Sequence, residues 1–243
     1  MLVINADDWG RSVAETDAAL KCYKAGRISS VSAMVCMGDS ERAAEMAKEH
    51  QLDAGLHLNF SEPFTAKNNS ERLSDYHHRI VRFIRGNKYA QLLYNPFLQK
   101  AFTYSYHAQV EEFARLFGKS PSHIDGHHHM HLCANLLFSK MIPVGTKMRR
   151  NFSFWPGEKG LLNRAYRGLV DRWLARRYRL TDYFFDLTQC LQEKKLDRVT
   201  VLAKSSHVEL MTHPIVQREA DYLMSDEFYA LLRSFKVGSY ALA

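Results

Sequence analysis

The stretch LVINADDWG, Leu2 to Gly10, decides how the chain is read. Its first residues, Leu2–Ala6, are a short apolar run of strand type that ends at polar residues. A dinucleotide-binding fold would place a glycine-rich phosphate loop directly after such a strand. Here the strand runs instead into two adjacent carboxylates, Asp7 and Asp8. That weighs against a nucleotide-binding sheet and directs attention to the rest of the alternation.

Working outward, Ser12 and Glu15 form a capping box, Ala14, Ala18, Ala19, Leu20 and Tyr23 follow at helical spacing, and Gly26 closes the helix. Residues 30–38 read as a second strand, 40–50 as a helix and 53–60 as a third strand. A helix over 107–118 leads into a strand that begins at Ser122 and runs into HIDGHHHMHL, His123–Leu132. Strands are expected again at 146–150, 182–187 and 208–213, with a closing helix over 218–235. Strands alternating with helices imply a parallel sheet of βαβ units. Seven or so units favour an α/β fold of the (β/α) barrel type, complete or incomplete, with helices surrounding parallel strands. One domain over 1–243 is expected, with residues of about 65–106 as an insertion or lid over the barrel mouth, since they fit the alternation poorly.

In a parallel barrel the chemistry gathers at the C-terminal strand ends. Four such places carry Asp or His: ADDWG, GLHLN, DGHHHMH and MTHP. Taken singly, each has a plain reading. Asp7 and Asp8 could cap a turn and a helix, and His57 could be a hydrogen-bonded core histidine. Adjacent carboxylates on an extended segment point to opposite sides, which would give them different roles. If the histidine segment stays extended, His127, His129 and His131 share one side and His128 points elsewhere. One or two of these imidazoles can reach the same ion as donors from other strands. Two histidines and a carboxylate with open water positions suit a divalent ion that acts as Lewis acid and water activator.

The four Cys, at 22, 36, 133 and 190, are scattered and read as free thiols, not as a disulfide or zinc framework. No apolar run is long enough to span a bilayer, and the N-terminus lacks the basic and apolar regions of a signal peptide, so a cytoplasmic location is expected. The net charge of +7 is concentrated: residues 147–180 carry ten Lys or Arg against Glu158 and Asp171. Leu161–Leu180 reads as a basic amphipathic helix. Such a helix could meet an anionic membrane surface, cradle a phosphorylated or nucleotide-linked sugar, or be a barrel helix with a solvated basic face. Nucleic acid is not expected as a partner, because the charge is confined to one segment and no nucleic-acid motif is present.

With these residues assembled, the chain resembles the YdjC-like carbohydrate deacetylases, a family of chitooligosaccharide and hopanoid-associated deacetylases. The motifs that carry the resemblance are NADDWG, GLHLN, HIDGHHHMH and VELMTHP, in the family's order and across most of the chain. The resemblance implies a deformed (β/α) barrel and metal-dependent removal of N-acetyl groups from an amino sugar, releasing acetate. It implies Asp8, His57 and His127 as ligands of one divalent ion, magnesium or zinc. It implies Asp7 as general base, His213 as general acid, and Arg149 as the residue that orients Asp7. His129 is the next member of the cluster for ion or substrate, and Asp125 is a supporting or substrate-binding residue. The partner expected is a carbohydrate, including anionic or lipid-linked forms, with peripheral membrane contact and a homodimer both compatible. A metal-dependent esterase or phosphoesterase on the same barrel, or a non-catalytic glycan-binding protein, are the rival readings.

Overall fold

The computed structural model describes residues 1–234 and 236–241. In chain order the elements are β1 (Leu2–Trp9), α1 (Val13–Lys24), β2 (Ser30–Ala33), α2 (Ser40–Glu49), β3 (Ala54–Leu58), α3 (Glu71–Gly86), α4 (Gln99–Phe117), β4 (Ile124–Gly126), α5 (Ala134–Leu137), α6 (Leu161–Ala175), β5 (Tyr183–Asp186), α7 (Leu187–Gln192), α8 (Leu196–Ala203), β6 (Val208–Thr212), α9 (Gln217–Leu223), α10 (Asp226–Leu232) and β7 (Val237–Gly238). The chain forms two compact units. The first comprises Met1–Ala6, Asp17–Val31 and the chain from Val144 onward; the second comprises Asp7–Thr16 and Ser32–Pro143.

In the first unit β1 pairs in parallel with β6, Leu2 opposite Val208 through Ala6 opposite Thr212. β6 pairs in parallel with β5, and β7 lies parallel to Leu2 and Val3. In sheet order β3 stands between β2, of which Ser32 and Ala33 belong to the second unit, and β4. Its pairing with β4 is parallel, with His57 opposite Asp125. The expected α/β alternation of parallel strands and helices is therefore the architecture found. All eight residues of β1 are buried, as a parallel strand covered on both faces requires. Asp7 and Asp8 are thus carried into the interior by the apolar run that precedes them.

The structure corrects several boundaries. β2 ends at Ala33, not Gly38, because Cys36 takes a left-handed φ of 61° and turns the chain. The expected strand over 146–150 is a single bridge between Lys147 and Arg179. The helix expected over 107–118 is the second half of α4, which starts at Gln99. The closing helix is two helices: Ser225 caps α10 by accepting from the Phe228 N–H at 3.1 Å, and this breaks the run after Leu223. Its expected end at Phe235 lies outside the described residues.

Residues 65–106 hold α3 and the start of α4, which pack on each other in the second unit. Ser70 caps α3 by accepting from Leu73 N–H at 3.2 Å. His77 of α3 is buried, 2.7 Å from the Glu62 carbonyl through Nε2, with its ring stacked on Phe64 at 3.6 Å. Burial lowers its pKa to about 4. The unfolded chain therefore binds a proton that the folded chain refuses. Stability contributed here falls as pH drops from about 6.5 towards 4, by roughly 3 kcal/mol. In urea unfolding at pH 7 and pH 5, His77→Gln should lose less stability between the two pH values than the native chain does.

Candidate active site

Three of the four motifs meet in the second unit. Asp7 and Asp8 lie near the C-terminal end of β1, His57 lies on β3, Asp125 lies on β4, and His127 follows β4 directly. Asp8 adopts φ 66°, the left-handed region that non-glycine residues occupy at a cost. This break in the strand's alternation overturns the expectation that the two carboxylates diverge. Both approach one imidazole: His57 Nε2 is 3.8 Å from Asp7 Oδ2 and 3.3 Å from Asp8 Oδ1. His127 reaches the same oxygen, with Nδ1 2.8 Å from Asp8 Oδ1.

Asp8, His57 and His127 each offer one donor atom, all within 4.8 Å of one another. The three residues are at most 5% exposed. Two imidazole nitrogens and a carboxylate oxygen, buried and convergent, fit a divalent transition ion or magnesium. The far side of His57 is fixed as metal-binding histidines usually are. Its Nδ1 lies 2.9 Å from Asp125 Oδ1, while Asp125 Oδ2 accepts from the Ser32 hydroxyl at 2.8 Å. Ser32 also contacts His123 Nε2 at 3.0 Å. Asp125 therefore supports His57 from behind.

The charges are strongly coupled. Burial alone would lower the His57 pKa, but Asp125, Asp7 and Asp8 push it up to about 10. Burial would raise Asp8, yet its bonds to His127 and His57 hold it well below the usual carboxylate range. An imidazolium among carboxylates is what a cationic centre would replace, and a metal bound here would displace that proton.

The histidine cluster is not extended. After Gly126 the chain enters a tight 3₁₀ turn over His127–Leu132, in which His128 and His129 have φ values of 51° and 59°. A Cβ on Gly126 would lie 2.8 Å from the backbone nitrogen of His131, so only glycine lets the chain fold back this closely. The turn replaces the expected one-sided array of His127, His129 and His131. His127 is buried at the donor set. His129 is half-buried and belongs to none of the donor groupings among the described residues. His128, assigned elsewhere by the extended reading, is exposed, groups with Glu62 and His127, and contacts Ser61 Oγ at 2.9 Å.

Sequence reasoning missed Glu62 and Arg11. Glu62 Oε1 lies 3.2 Å from His127 Nε2, close enough for an ion pair though off the line of a hydrogen bond. Arg11 holds the same carboxylate with a two-pronged fork, both contacts 3.0 Å. Burial would raise Glu62, but Arg11 and His127 lower it. The available signal was position, since Glu62 follows the C-terminal end of β3. Carboxylates behind ligand histidines typically contribute about 10–100-fold in metal affinity. Asp125→Asn and Glu62→Gln should each weaken metal binding within that range, the former more because Asp125 is fully buried. Competition with a chromophoric chelator reads this directly.

The remaining motif residues belong to the first unit. Arg149 is fully buried; its Nε and Nη2 lie 2.8 and 2.7 Å from Glu209 Oε1, and its guanidinium lies 4.9 Å over the Phe184 ring. Tyr240 donates to the other Glu209 oxygen. His213 follows β6, and its backbone N–H donates to Glu219 Oε2 at 2.5 Å. Glu219 is anchored by the hydroxyls of Thr212, at 2.6 Å, and Thr188. Asp186, His213 and Glu219 bring donor atoms within 4.8 Å of one another.

A cleft of about 280 Å³ adjoins the second unit's cluster, lined by Ser61, Glu62, Arg85, Lys88, His128 and Met130 among others.

A family model described as YdjC-like protein matches residues 1–234. A chitooligosaccharide deacetylase of Proteus mirabilis is 27% identical over 235 residues, covering 88% of this chain and 81% of that protein. A carbohydrate deacetylase of Mus musculus is also 27% identical, covering 88% of this chain and 77% of its own length. The crystal structure of a candidate cellobiose-phosphate cleavage protein from Enterococcus faecalis superposes with a TM-score of 0.68 at 20% identity, over 100% of this chain and 98% of that one. That likeness concerns the fold.

Proposed function

The chain belongs to the YdjC-like family, and from that premise we propose that it is a metal-dependent carbohydrate N-deacetylase, acting on an N-acetylglucosamine-type oligosaccharide or glycolipid. The names of the Proteus and mouse relatives support the substrate class. The observation that carries the metal dependence is the buried convergence of Asp8, His57 and His127.

When bound there, magnesium or zinc would polarise the acetamide carbonyl, acidify water and stabilise negative charge on the oxygen. The chain's residues supply the rest. Asp125, steadied by Ser32, keeps a proton on His57 Nδ1 and leaves Nε2 with its lone pair for the ion. Asp7 stands 3.8 Å from that Nε2 and is the base that takes the proton from attacking water. His213 is the acid, on the strength of its motif. An amine leaves poorly unless protonated, so the acid is as necessary as the base. Arg149 and His129 are assigned supporting roles, Arg149 in orienting Asp7 and His129 towards substrate. The cleft beside Glu62 and His128 is the place assigned to the sugar. Products are acetate and the free amino sugar. No helix among the described residues is long and apolar enough to cross a membrane, and a cytoplasmic site of action is part of this proposal.

The test is acetate release from a panel running from free N-acetylglucosamine through short chito-oligomers to nucleotide- and lipid-linked forms. Acetate from at least one member supports the reading. Ester or phosphate-ester cleavage with no acetate from any acetamide overturns it in favour of another hydrolysis.

A further inference from the structure

Helix α6 presents its sides in the reverse of the usual order for a surface helix. Of its 15 residues only Asp171 and Leu174 are buried. Leu161 is 81% exposed, Leu162 88%, Leu169 63% and Tyr166 46%. Leu162, Tyr166, Leu169 and the half-buried Trp173 recur at i, i+4, i+7 and i+11, which places them on one stripe. The opposite side carries the polar anchors. Asp171 accepts from Arg150 Nη2 at 2.8 Å and from the Asn151 side chain at 2.9 Å, and Arg167 lies over the Phe154 ring at 5.2 Å. Asp171 faces inward beside Leu174, while Leu161, Leu162 and Leu169 face outward.

Cations border the stripe. Arg172 and Arg176 are exposed beside Leu169, with Lys159 exposed just before the helix and Arg179 just after it. The two acidic residues of 147–180 are already engaged, Asp171 with Arg150 and Glu158 with Lys195.

We propose that α6 docks the protein on an anionic lipid bilayer, lying in the plane of the interface with Leu161, Leu162 and Leu169 inserted. Tyr166 and Trp173 suit the headgroup level, and Arg172, Arg176 and Lys159 meet lipid phosphates. Charge decides between a bilayer and a second copy of the chain. A second copy would bring the same arginines, and the two carboxylates of 147–180 are already paired and do not answer them, whereas an anionic leaflet supplies the opposite charge across the whole stripe. The inference is independent of the catalytic reading, because it uses none of those residues.

Flotation of the full chain with vesicles tests it. The chain should bind vesicles of phosphatidylcholine mixed with phosphatidylglycerol, bind phosphatidylcholine alone at least about tenfold more weakly, and release in high salt. Leu162→Ser with Leu169→Ser, and separately Arg172→Glu with Arg176→Glu, should each lower binding by about tenfold or more. All four side chains are exposed or border the exposed stripe, and far-UV circular dichroism verifies that the variants fold. Absence of binding to the mixed vesicles at low salt overturns the proposal. So does equal binding by native chain and both variants. A dimer in sedimentation velocity that the leucine variant dissociates, with vesicle binding unchanged, would assign the stripe to a second copy and equally overturn it.

Discussion

Asp8→Ala is expected to remove bound metal and activity together, lowering kcat/KM by about three orders of magnitude. The reason lies in one oxygen. Asp8 Oδ1 is the atom that both His127 Nδ1, at 2.8 Å, and His57 Nε2, at 3.3 Å, converge upon. Without it two imidazoles remain, too few anionic or neutral donors to hold a hard divalent ion against water. The backbone complicates the alanine variant, because residue 8 has φ 66° and alanine tolerates the left-handed region poorly. Asp8→Asn is the companion, since asparagine accepts that conformation and keeps the shape while removing the charge. Both should lose metal, measured by elemental analysis after gel filtration. The alanine variant should lose about 1 kcal/mol or more of stability beyond the asparagine variant in urea. Full metal content in Asp8→Asn would show that the ion is held elsewhere.

Asp7→Asn is expected to do something different: to lower kcat by about 10²–10⁴-fold while metal content stays near that of the native chain. Asp7 approaches His57 only at 3.8 Å, against 3.3 Å for Asp8, and lies outside the Asp8–His57–His127 donor set. Its amide analogue has the same volume and cannot accept a proton from water. KM should change little, because the loss is confined to the proton-transfer step. Elemental analysis with steady-state acetate kinetics separates the two carboxylates. If Asp7→Asn loses metal while Asp8→Asn keeps it, the two roles are reversed.

The contrast between these neighbours shows what a sequence can convey. The buried strand that delivers them was legible from LVINA, and His57 from its place in GLHLN, because strand patterns depend on local apolar runs. The left-handed turn at Asp8 was not, since nothing in the residue types distinguishes an extended Asp-Asp from one bent so that both carboxylates face a single ring. The same limit governs the histidine cluster. Alternation along an extended chain groups His127 with His129, but Gly126 permits a close reversal that leaves His129 aside and brings His128 towards Glu62. Glu62 escaped notice because its partner His127 is 65 positions away and the contact exists only once β3 and β4 are paired. In α6 the amphipathic spacing was legible while its direction was not. Which side of such a helix faces water is settled by Asp171 and its partners Arg150 and Asn151, the latter two outside the helix.

The central claim is that the buried donor set Asp8, His57 and His127 is the seat of a metal-dependent deacetylation. Its most direct test is to strip the purified chain with a chelator and titrate back one divalent ion at a time. Bound metal and acetate release are followed together on the best substrate of the panel. The account predicts that acetate release vanishes on stripping and returns in proportion to occupancy, levelling at a single ion per chain. Undiminished acetate release from protein that demonstrably holds no metal would contradict it.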